Sequence, residues 1–208
     1  DSEYPDAKEL ALSLGWKRKK HMMGTVKSRK VLSAPSVLEG AGLYEKRNGR
    51  EALVAEMKSR LGLSEVQGTD AHRVAVERFP LIVTTNYDSL LEGAAAASET
   101  GHSVRYRGED LPDPSSSESV IFKLRGGFER EADLVLTHRD REVRALSEAN
   151  RKQLKKILRK QVILFVGYKP DEEEFEVLWE DLTISYGGEL PRCHMAVAQG
   201  RINDYLWQ

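Results

Sequence analysis

Apolar residues recur at helical spacing along residues 1–78, and no run of consecutive β-branched residues interrupts them. Leu10, Ala11 and Leu14 follow Pro5, a residue that suits a first helical turn. Two more helical patterns cover residues 37–45 and 49–61. In the second, Leu53, Val54 and Met57 share a face, with Leu61 one turn on. A fourth covers residues 69–78, with Thr69 or Asp70 as its N-cap. Residues 1–78 are therefore expected to form a helical subdomain or insertion.

The pattern changes at Phe79. Residues 81–85 (Leu-Ile-Val-Thr-Thr), 120–124 (Val-Ile-Phe-Lys-Leu) and 162–166 (Val-Ile-Leu-Phe-Val) are short apolar, β-branched runs, as in strands buried on both faces. Residues 194–198 suggest a last strand and 104–107 a further one, with 134–136 as a short extended piece. Between them lie an alanine-rich helix over 89–98, a long helical pattern over 140–160 and an amphipathic helix over 175–186, while 111–119 is loop by composition. Strands alternating with helices predict an α/β fold with a Rossmann-like, mostly parallel sheet over 79–208, its strands neighbours in one sheet.

In such a sheet ligands bind outside the carboxyl ends of the strands. Three loops leave those ends, at 84–88, 125–127 and 167–169, and would place Asn86, Asp88, Arg125 and Tyr168 at one rim. Taken singly, each is an ordinary polar turn, with Asp88 a helix cap and the glycines turn formers. Their order is more specific. Thr84-Thr85-Asn86-Tyr87-Asp88 precedes a leucine-rich helix start. Lys123-Leu124-Arg125-Gly126-Gly127 follows, then Leu136-Thr137-His138-Arg139-Asp140, then Val166-Gly167-Tyr168-Lys169 before an acidic stretch. Over about residues 79–198, and more faintly before them, the chain resembles the sirtuin-like domains of bacterial anti-phage NAD hydrolases and related proteins.

The resemblance implies NAD as cofactor, and cleavage of its nicotinamide–ribose bond through an oxocarbenium-like state. It implies an Asn positioning water or ribose, an Asp nearby and a His as base. Asn86 and Asp88 hold the first two places; Arg125 holds the third. A guanidinium cannot accept a proton near neutral pH but can grip a phosphate or carboxylate. The serine that follows V-G-Y in the family is Lys169. The cofactor-binding set implied is Thr84, Thr85, Asn86, Asp88, Arg125, Gly126, Gly167, Tyr168 and Lys169.

The family also opens on a strand and a G-A-G-x-S loop against the pyrophosphate. Gly40-Ala41-Gly42 has no apolar strand before it and reads as helix. With the chain beginning at Asp1, the true loop is expected to lie upstream or to have been lost. Arg125 and Lys169 are expected to share a rim, answered either by Asp88 or by an external anion.

The remaining composition narrows the classes. Net charge is −1, which gives no global pull toward nucleic acid or anionic membrane. No apolar run approaches the roughly 18 residues that span a bilayer. One cysteine, Cys193, excludes an internal disulfide and fits a reducing, intracellular compartment. The five histidines lack partners at metal-ligand spacing, so no metal is expected. Residues 151–160 hold six basic residues around Leu154, Ile157 and Leu158, the pattern of a surface helix packed by its stripe.

Two readings follow. One is a degenerate sirtuin-like module, structural or nucleotide-sensing, with protein partners or a place in a larger assembly. The other is an NAD hydrolase domain of a defence protein with an altered site. Arg125, Lys169 and the missing glycine-rich loop favour the first. A nucleic-acid-binding role for the basic runs at 17–20 and 151–160 is weaker than either.

Overall fold

The computed structural model describes residues 10–11, 13–14, 37–61, 68–99, 101–112, 118–144, 146–167 and 193–196. The chain divides into two compact units, Asp1–Ser147 and Glu148–Gln208. The first holds helices α1 (Val37–Asn48), α2 (Arg50–Arg60) and α3 (Asp70–Arg78). Strand β1 (Leu81–Thr84), helix α4 (Leu90–Ala97) and strands β2 (Ser103–Tyr106) and β3 (Val120–Lys123) come next. A 3-10 turn (Glu131–Asp133) and helix α5 (His138–Val143) complete it. The second unit contains α6 (Glu148–Lys160), β4 (Ile163–Val166) and β5 (Cys193–Ala196). The α/β, mostly parallel character expected from the sequence is present: every strand pairing is parallel.

The expectation of one sheet is overturned. The first unit has a three-stranded sheet in the order β1-β3-β2, and β4 pairs with β5 in a sheet of its own. The apolar runs are also less alike than they look. β3, central and paired on both edges, is buried at every residue, because both its faces and both its edges are covered. β1, paired only with β3 among the described residues, is half-buried, with Val83 exposed. In β4 only Phe165 is buried, while Leu164 and Val166 are exposed. Equal hydrophobicity therefore led to unequal burial, since position in the ladder decides how much of a strand is covered.

Helices α3 and α4 cover one face of the three-stranded sheet. Val76 and Ala95 pack on Ile121 of β3, with Ile82, Leu91 and Ala94 around them. The start of α3 is fixed by Thr69, whose N–H donates to His72 Nδ1 at 3.1 Å. A second core joins the helical region to the loops beyond the strand ends. Leu53, Val54 and Met57 of α2 and Ala41 of α1 pack with Tyr87, Phe128, Leu134 and Leu136. Full burial of a leucine such as Leu53 contributes about 2 kcal/mol. Gly40 serves close packing: a Cβ there would lie 2.9 Å from the Ala11 carbonyl oxygen. Gly40-Ala41-Gly42 is thus helix, as the sequence pattern predicts.

The long helical pattern over 140–160 is two helices. Thr137 caps α5, accepting from the Asp140 N–H at 3.1 Å, and the Arg144 N–H closes α5 on the Asp140 carbonyl at 2.8 Å. In α6, Ile157 is buried while Arg151, Lys152 and Lys156 are exposed, the arrangement of a solvated basic face over an apolar stripe. The helix expected over 175–186 lies outside the described residues. Among these, no helix is long and apolar enough to cross a membrane.

Candidate functional site

The carboxyl ends of β1, β3 and β2 lie side by side, with Thr84 and Tyr106 in register with Lys123. The loops 84–88 and 125–127 leave adjacent strands here. Thr84 closes a tight turn by accepting the Asn86 N–H on Oγ1 at 3.1 Å, while its carbonyl accepts the Leu124 N–H at 2.9 Å. Thr85 is half-buried and Asn86 is exposed. Tyr87 turns inward, its ring 5.7 Å from that of Phe128 and its hydroxyl donating to the Val135 carbonyl at 2.6 Å. Asp88 accepts the Leu90 N–H on Oδ1 at 3.1 Å, so its carboxylate caps the entry to α4. Of the two roles open to it from sequence, Asp88 takes the cap.

Arg125 is half-buried just past β3, and its carbonyl accepts the Val135 N–H at 2.9 Å. Gly126 follows with φ of 77°, and its N–H returns to the Lys123 carbonyl at 3.1 Å. A Cβ on Gly126 would sit 2.5 Å from the Asp133 carbonyl oxygen, so only glycine allows the loop to lie against 133–134. Gly167 follows β4, in the other sheet, with φ of 75°. Tyr168 and Lys169 lie outside the described residues, as does the rim that Lys169 was expected to share with Arg125. The structure therefore joins two of the three loops on neighbouring strands of one sheet.

The sequence reading missed the residue at the centre of this arrangement. Lys123 is fully buried at the end of β3. Its ammonium donates to Glu92 Oε1 at 2.6 Å, to the Tyr87 carbonyl at 3.4 Å and to the Asp88 carbonyl. The ammonium's three hydrogens are matched by three acceptors, which is the condition for burying it. The same contacts tie the loop carrying Asn86 and Asp88 to the central strand. A cue was present: Lys123 shares strand parity with Ile121 in a strand buried on both faces, so the lysine needed a partner. Nothing in the sequence identified Glu92 as that partner.

Around this pair the surface is acidic. Glu92 keeps its second oxygen, Oε2, buried without a hydrogen-bond partner among the described residues. Burial raises the Tyr106 phenol above its ordinary value, and the charges of Glu129, Glu92 and Glu109 add to this against the opposing Arg130. Gly127 lies where these groups converge, since a Cβ there would be 3.1 Å from Tyr106 Cε1 and 3.2 Å from Lys123 Cε.

A second site-supporting link reaches from α2. Arg50 Nη1 donates to Asp140 Oδ2 at 2.6 Å and Arg50 Nη2 to the Leu134 carbonyl at 2.9 Å. Asp140 Oδ2 also accepts the Leu136 and Thr137 N–H groups at 2.9 and 3.0 Å. Burial alone pushes Asp140 up. The Leu136 N–H, Arg50 and the Thr137 N–H together outweigh it and hold the carboxyl below the usual aspartate value.

A family model described as the SIR2-like domain matches residues 80–206 of the chain. The match begins one residue before β1 and so takes in every strand-end loop described above. No curated protein matches it.

Proposed function

The chain belongs to the SIR2-like domain family, and from that membership we propose that it is a degenerate member that recognises a nucleotide such as NAD without hydrolysing it. The observation that carries this reading is Arg125 at the end of β3, on the strand next to the loop of Asn86 and Asp88. The base position holds a group that stays protonated and can only donate. The donor set therefore suits the phosphates of a dinucleotide rather than proton removal at its ribose. Asp88 supports the same reading, because its Oδ1 is engaged by the Leu90 N–H at the entry to α4. As a module without its own chemistry, the domain would act through protein partners or as part of a larger assembly.

An exposed Asn86 at the strand end is the one feature that favours the second reading, an NAD hydrolase with an altered site. Nicotinamide release separates the two. The purified chain is expected to release none above background, since loss of a general base alone lowers rates about 10²–10⁴-fold. Calorimetry is expected to show NAD binding that Arg125→Ala weakens. Arg125→His by itself is expected not to restore release. Robust turnover by the unaltered protein would overturn the proposal, and absence of NAD binding would reduce the domain to a scaffold.

A further inference from the structure

We infer that a groove beside β2 is a binding site for the phosphate groups of a small ligand, held by Arg107 and Arg144. The groove, about 270 Å³, is lined by Arg107, Gly108, Ala132, Asp133, Arg144 and Ser147. It contains none of the strand-end residues on which the nucleotide reading rests, and it stands whether or not NAD binds.

Both guanidiniums are fixed in place by neutral groups. Arg107 donates through Nε to the Arg144 carbonyl and through Nη1 to the Leu124 carbonyl at 2.7 Å. Arg144 donates through Nη1 to the Leu134 carbonyl at 2.5 Å. Carbonyl oxygens satisfy N–H donors but leave the net charge. Among the described residues neither arginine forms an ion pair, and Arg141 forms none either. Asp133, the carboxylate in the lining, is engaged by Arg130 Nε at 3.0 Å. Burial lowers Arg107 below the usual arginine value, and the nearby charges of Arg141 and Arg125 lower it further, with no acidic group acting against them. Half-buried and like-charged, with no ion pair at Arg107, Arg144 or Arg141 among the described residues, this cluster favours the entry of an anion.

The charge count selects the anion. A carboxylate brings one negative charge to two lining guanidiniums, whereas a phosphate dianion or a diphosphate can balance both and take forked hydrogen bonds from each. Because the backbone carbonyls already orient the guanidiniums, little ordering remains to oppose binding.

The test is calorimetry on the full chain at constant low ionic strength, with inorganic phosphate, pyrophosphate and ADP as probes and acetate as the monocarboxylate control. Pyrophosphate is expected to bind, ADP to bind through its diphosphate, and acetate to bind at least about tenfold more weakly. Arg144→Lys, which keeps the charge and loses the fork, is expected to lower pyrophosphate affinity about tenfold. Arg141→Gln removes a nearby charge from a side chain that holds no hydrogen bond among the described residues. It is expected to weaken pyrophosphate binding about threefold without lowering the thermal midpoint of the free protein. Arg125→Ala, which tests the nucleotide reading, is expected to leave pyrophosphate affinity within about threefold. No binding of any phosphate probe overturns the inference. So does acetate binding as tightly as pyrophosphate, or pyrophosphate affinity unchanged in both Arg144→Lys and Arg141→Gln.

Discussion

Two cationic places lie near the carboxyl ends of the same three strands, and they are treated in opposite ways. Lys123, at the end of β3, is fully buried and meets a carboxylate as well as two carbonyls. Arg107, just past β2, is half-buried and meets carbonyls only. The lysine's charge is answered within the fold, so its position is structural. The arginine's charge is left for something outside the fold to answer. Hydrogen-bond satisfaction and charge compensation are separate requirements, and among the described residues Arg107 has carbonyl partners but no ion pair.

The sharpest way to break this contrast is at Lys123. Lys123→Met leaves the half-buried Glu92 unpaired and is expected to cost about 3 kcal/mol in urea unfolding. The double variant Lys123→Met with Glu92→Leu is expected to recover most of that loss, since removing both charges removes the penalty. A double variant as unstable as the single one would show that Lys123 matters for packing and not for its charge.

Gly126 lies three residues past Lys123 and seats its loop against 133–134, and Gly126→Ala is expected to cost on the order of 2 kcal/mol or more. Both the positive φ and the 2.5 Å approach to the Asp133 carbonyl oppose a side chain. A thermal midpoint equal to that of the unaltered protein would contradict the loop geometry.

Asp140 offers a pH test of a carboxylate that, like Glu92, answers a cation within the fold. Its folded pKa is depressed. Its contribution is therefore complete above the unfolded value of about 3.9 and is lost as pH falls through the folded value. Asp140→Asn is expected to cost about 2 kcal/mol at pH 7, with the gap to the unaltered protein closing as pH drops below about 4. A gap that did not depend on pH would mean that hydrogen bonding, not charge, carries the contribution.

The smallest effect is expected in the groove. Arg107→Lys loses hydrogen bonds to neutral carbonyls and keeps the charge, so its cost in the absence of ligand is expected to stay below about 1.5 kcal/mol. A loss as large as that at Lys123 would place Arg107 among the structural cations and remove the contrast.

Several elements were legible in the sequence because their causes are local. The helices α1 to α4 follow from apolar spacing and caps, and Thr69 caps α3 as its side-chain chemistry suggests. Strands β1 and β3 follow from β-branched runs, and the loops beyond them from their T-T-N-Y-D and K-L-x-G patterns. The start of α5 was placed two residues late although Thr137 and Asp140 stand at capping-box spacing, and the break between α5 and α6 was missed because the helical pattern was read through it. Sheet membership of β4 was missed for a different reason: hydrogen-bond ladders join residues far apart in the chain, and hydrophobicity does not say which edge a strand meets.

The sequence by itself determined the α/β class, the SIR2-like order of strand-end loops and the presence of a guanidinium, Arg125, at the start of the second of them. Those depend on residue identity and on neighbours within a turn. Only the tertiary structure decided that Lys123 is neutralised by Glu92 from 31 residues away, and that Arg107 and Arg144 converge from 37 residues apart with no ion pair at either among the described residues. Compensation of charge is a property of distance in space, and residues 30 or more apart come within hydrogen-bond reach only once the strands between them have paired.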